Sequence, residues 1–252
     1  MAQLFDVAGR LAEGRSAVDH FAQYLRACEA LGHCHAVPGA VDDAYGSEDG
    51  LDLRALDADH AALQSAVRVA RTAAQIQDDQ LVELAVAWRG GGGQAAAEFL
   101  RRHGEASARA TAALATAADA VAGLRDDVWR IVDDKVAASE EVDARTDGVR
   151  GAWLAAAQTV RTGVGDRAAA SELVDQHVKP FVDSDIEAEW VATLEAARDA
   201  IARCFDAAIG TVGAEPAAAF EMPDTGGAAW AAPAGYGGGA APAPAVGAPA
   251  SP

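Results

Sequence analysis

Cysteine is scarce: Cys28, Cys34 and Cys204 are the only three, too few and too odd in number for a disulfide framework. Aromatic residues make up 6% of the chain, so large rings supply little of the apolar volume. Lysine is nearly missing, with Lys135 and Lys179 as its only representatives beside many arginines. Basic residues number 20 against 38 acidic ones, and the formal net charge of −18 argues against nucleic acid and anionic membrane surfaces, both of which would repel it. No stretch reaches the length and apolarity of a membrane span. The first ten residues lack the basic and apolar regions of a cleaved export signal. The sequence therefore reads as cytoplasmic, or as secreted without a cleaved signal peptide. No run alternates with period two for long enough to propose a sheet.

What is present is helical periodicity. Hydrophobic residues reach 51%, much of it alanine, which suits helices packed closely along their length. Leu4, Val7, Leu11, Val18, Phe21, Leu25 and Cys28 recur in steps of three and four, with Gly14 in the one gap, and predict a helix over about residues 2–32. Pro38, Gly39, Gly46 and Gly50 then predict a loop over 33–50. A second stripe runs through Leu53, Leu56, His60, Leu63, Val67, Ala70, Ala74, Gln77, Leu81, Leu84 and Trp88, with Asp52 or Asp57 able to cap its start. Gly90, Gly91, Gly92 and Gly93 interrupt it, since a helix pays about 1 kcal/mol for each glycine relative to alanine. A third stripe, from Phe99 through Leu114, Leu124 and Val128 to Ile131, predicts a helix to about 142.

Two long helices joined by a short turn lie antiparallel, so residues 51–143 are expected to form a helical hairpin. Beyond it, residues 144–212 read as additional helices. Val149, Trp153, Ala157 and Val160 mark one, ending near Gly163 or Gly165. A shorter one over 167–179 is expected to stop at Pro180, and Ser184-Asp185-Ile186-Glu187 has the pattern of a capping box that starts the last. From residue 213 the chain is Gly/Ala/Pro-rich, holds seven of the nine prolines, and reads as a disordered tail. The fold class expected is all-α: an elongated helical bundle built on a long hairpin, with an N-terminal helix and loop over 1–50.

No residue pattern calls for catalysis, a metal or a cofactor. Cys28, His33, Cys34 and His35 carry zinc-ligating atoms, but their spacing fits no paired-ligand pattern, and Cys28 falls on the apolar stripe. The glycine run lacks the Lys-Ser/Thr of a phosphate loop. A di-iron bundle needs Glu-x-x-His, to which Asp57-x-x-His60 is the nearest approach. The pairs Asp126-Asp127, Asp133-Asp134 and Glu140-Glu141 read as solvated helix faces.

The most informative motif is Trp88-Arg89-Gly90, placed in the turn between the two long helices. The Trp88 ring is expected to cover the open end of the hairpin core, and Gly90 to let the chain reverse. With that placement, residues 52–142 resemble the WXG100 hairpins of bacterial type VII (ESX) secretion and the related longer substrates. The resemblance implies no enzyme activity and function through protein contacts: a helical partner or self-association completing a four-helix bundle, and a secretion ATPase or chaperone. It also implies a Tyr-x-x-x-Asp/Glu signal. The only match here is Tyr45 with Asp49, ahead of the hairpin, and no such signal follows it, since Tyr236 has no acid four residues on. The alternative is a cytoplasmic helical adaptor without a secretion role.

Overall fold

The structure, a computed structural model, describes residues 4–33 and 38–222. Every regular element in them is helical. Helix α1 (Val7–Ala30) opens on Asp6, whose side chain accepts from the Gly9 amide at 3.1 Å. It buries Val7, Leu11, Val18, Phe21, Leu25 and Cys28, the stripe read from the sequence, whereas Leu4 lies before the helix and is exposed. The loop expected over 33–50 is incorrect in part. Helix α2 (Pro38–Tyr45) occupies its middle and buries Val41 and Tyr45 one turn apart. Pro38, read as a breaker, stands at the first helical position, where its missing N–H costs nothing and its fixed φ favours the start.

Helices α3 (Leu53–Ala87) and α4 (Gly91–Ala144) form the hairpin. Asp52 caps α3 by accepting from the Arg54 and Ala55 amides. Their antiparallel register is fixed by cross-helix pairs: Gln77 Nε2 donates to the Leu100 carbonyl at 3.0 Å, and Arg125 pairs with Asp57. The glycine run does not delay α4, which begins at Gly91. Glycine is costly in a helix interior, but the first turn makes few of its hydrogen bonds and tolerates it.

Helix α5 (Arg150–Thr162) ends on Gly163 in the left-handed conformation, as expected. The next stretch departs from expectation. Helix α6 (Arg167–Leu173), a π-helical segment (Val174–Val178), α7 (Lys179–Phe181), a second π-helical segment (Val182–Trp190) and α8 (Val191–Ala214) follow one another without a break. Pro180 does not stop the helix, because the turns around it widen. The Lys179 amide reaches back five residues to the Val174 carbonyl, and that of Val191 to Ile186. Wider turns relieve the clash a proline ring makes with the preceding turn. Ser184 is therefore no cap: mid-helix, its hydroxyl donates to the Pro180 carbonyl at 2.8 Å.

Among the described residues, Phe21, Tyr24, Trp153, Phe181 and Trp190 meet where α1, α5, the C-terminal half of α4 and residues 174–194 come together. Phe21 and Trp190 lie 4.7 Å apart edge to face, Trp153 and Phe181 5.5 Å, and Tyr24 and Trp153 5.9 Å. Trp190 Nε1 donates to Ser139 Oγ at 2.8 Å. The hairpin's other end differs: between Leu56 and Ala117 only Val67, Gly93 and Ala106 are buried. This arm is held by the mutual packing of α3 and α4. The tail expected from 213 begins after Ala214; residues 223–252, the greater part of it, lie outside the described residues.

Candidate interaction surface on the hairpin arm

The inward stripe of α3 is the one read from the sequence, from Leu53 to Leu84, each member at least partly buried against α4. Trp88 is the exception. It ends α3 in an extended conformation (φ −122°, ψ 107°) and is 53% exposed, so its ring does not cover the end of the core. It lies instead over the first turn of α4, with Cζ2 beside Gly92. A Cβ at Gly93 would collide with the Trp88 carbonyl, so the glycines make a seat for the residue that precedes them. Gly90, at φ 95° and ψ −177°, holds a conformation that other residues rarely adopt.

On the side of α3 turned away from the stripe, Val69, Ile76, Val82 and Val86 are 66, 53, 69 and 71% exposed. They were not singled out in the sequence, because a single stripe accounts for a two-helix hairpin. The signal was there: isolated valines and isoleucine on what should be the polar face.

Tyr45 and Asp49 do not share a surface. Tyr45 is fully buried at the end of α2, its hydroxyl donating to the Leu11 carbonyl at 2.8 Å, under Gly14 and between Arg15 and Lys135. Burial pushes the phenol up to about 12. The Asp49 side chain is 61% exposed and lies 3.9 Å from Arg15. A protein reading both would have to lift α2 off the core.

Beneath Tyr45 is a buried ion pair that the sequence reading missed. Lys135 Nζ, 1% exposed, meets the Glu48 carboxylate and donates to the Tyr45 carbonyl at 2.7 Å. Burial lowers the Lys135 pKa against the pull of Glu48. The clue was spacing: Val128, Val132, Lys135, Ser139 and Val142 make one buried stripe, which puts the lysine inside. The pair joins the loop after α2 to α4.

The other residues weighed for metal binding or charge are placed as follows. Cys28 is buried, with its thiol pushed up to about 12 by desolvation, and His33 Nε2 lies 2.8 Å from Asp175. Cys34 and His35 lie outside the described residues. His60 contacts Gln64 at 3.2 Å while Asp57 holds Arg125. Of the acidic pairs, Asp133 and Glu140 both reach Arg10, tying α1 to α4. Among the described residues, no helix is long and apolar enough to cross a membrane. No protein-family model, curated protein or solved structure matches this chain.

Proposed function

We propose that this chain is a non-enzymatic docking protein whose working element is the hairpin arm, of the kind that serves or is exported by type VII (ESX) secretion. The observation that carries the reading is the arm itself. It holds Trp88-x-Gly90 at its turn, with a half-exposed ring, and exposed apolar side chains on its outer side, Val69 and Ile76 bordering one groove and Val82 and Val86 one turn apart nearer the hairpin turn. Isolated apolar side chains on a surface mean little, but two neighbouring pairs along one helix gain free energy only when something covers them. A partner hairpin laid against the arm completes a four-helix bundle.

The burial of Tyr45 favours a second reading, an adaptor with no secretion role, and within the first it favours export on a partner's signal. The test follows the protein in culture supernatant in strains lacking the secretion ATPase, lacking Tyr45, or carrying Trp88→Ala. Loss of export without the ATPase and with Trp88→Ala supports the first reading, and persistence without Tyr45 assigns the signal to a partner. Levels indifferent to the ATPase leave the adaptor.

A further inference from the structure

We propose that residues 215–220 form a strap that seats Phe220 in the apolar groove between α3 and α4, beside Ala73, which also borders the exposed Val69 and Ile76, and so competes with a partner helix laid along that edge of the arm. The proposal rests on the reading of the arm as a docking element, and it supplies that element's regulation.

The path of the chain sets this up. Helix α8 runs back along α4 toward the hairpin turn, so that Cys204 and Thr211 share a groove with Leu124 and Ala120. At Glu215 the backbone turns extended (φ −70°, ψ 124°), and Pro216 prevents the helix from resuming. Six extended residues from Ala214 reach about 20 Å, the length of about thirteen residues of α4. That distance carries the chain from the level of Ala120 to that of Ser107, where Phe220 lies.

The seat is prepared by the hairpin. Large side chains on the α3 stripe are interrupted by Ala70 and Ala74, between Val67 and Leu81. With Ala73, Ala110 and Gln77 they leave a groove of about 310 Å³, and Phe220 lines it. Its ring packs against His103 at 5.1 Å between centroids, and His103 stacks on Phe99 at 6.5 Å. Phe220 is the only large apolar side chain between Val212 and Met222. It is also 48% exposed. Half-burial makes the ring an anchor that a competing helix with more apolar surface displaces.

Hydrogen exchange measured by mass spectrometry on the full chain tests this. In Phe220→Ala, amides of residues 66–80 and 100–114 should exchange at least about threefold faster, while those of 124–142 keep their rates, because an arm with few buried contacts opens locally. His103→Ala should do the same, and the double variant no more than either alone, since both remove one contact. A peptide of residues 214–222 added to the Phe220→Ala chain should restore protection, and the same peptide with alanine for the phenylalanine should not. Unchanged exchange in the arm, or acceleration spread evenly over the core, overturns the strap. Arm-confined acceleration, in a protein whose Trp88→Ala form exports and associates normally, leaves the strap standing and overturns the docking reading instead.

Discussion

Lys135 is the residue most exposed to error by substitution. Removing one member of a buried ion pair strands the other, so Lys135→Met should cost about 3–5 kcal/mol in urea melts. Lys135→Met combined with Glu48→Leu should recover much of that loss; strict additivity would show that the two side chains act independently. Cys28 and Tyr45 set an alkaline limit. Their folded pKa values stand near 12, against 9.0 for a free thiol and 10.0 for a free phenol. Above pH 9.0 the unfolded chain loses these protons first, so stability that is complete below that pH declines as pH rises toward 12. Lys135 tilts the other way, since its pKa is lowered on folding. Replacing Cys28 with valine should remove the part of the decline that begins at the thiol. Urea midpoints between about pH 8 and 11 in both proteins check it, and parallel curves would mean the thiol is not held neutral by burial.

At the scale of the element, the hairpin turn separates two effects. Trp88→Ala deletes a ring that is already half in water, so its cost should be about 1 kcal/mol, well short of the 3 kcal/mol or more of a core aromatic. Gly93→Ala forces a Cβ into the Trp88 carbonyl and should cost about 1–3 kcal/mol. Chemical denaturation of both variants measures the order; a Trp88 cost above that of Gly93 would put the ring in the core after all. The helices that bury a stripe on one face, α1, α3, α4 and α5, were legible because the period of large apolar residues survives any partner. Three things were not. Helix α2 carries only Val41 and Tyr45 as anchors, too few to show a period. Pro180 is a breaker in an α-helix, and only the π turns around it let the helix pass. Trp88 continues the spacing of its stripe, but spacing does not say that the helix has ended and the backbone has turned extended. The exposed apolar pairs of α3 and the Phe220 seat depend on which faces remain uncovered, a property of the whole assembly of helices.

For the whole molecule, charge is the global term. A net charge of −18 repels itself on folding, and screening that repulsion should raise the urea midpoint as ionic strength goes from about 0.01 to about 0.15 M, where the Debye length shortens from about 30 to about 8 Å. A falling midpoint would mean that ion pairs such as those of Arg10 with Asp133 and Arg125 with Asp57 outweigh the net charge. The closure of Phe21 on Trp190 has its own consequence, for synthesis. The first helix leaves the ribosome with its apolar stripe complete and only α2 close behind it to cover a part, because most of the rings and valines that bury it belong to residues 128–194. At roughly 5–20 residues per second, that stripe waits on the order of ten to thirty seconds for its other half. The hairpin, whose two strokes are neighbours in sequence, closes during the wait, and the nascent chain carries a finished arm and an open core at the same time.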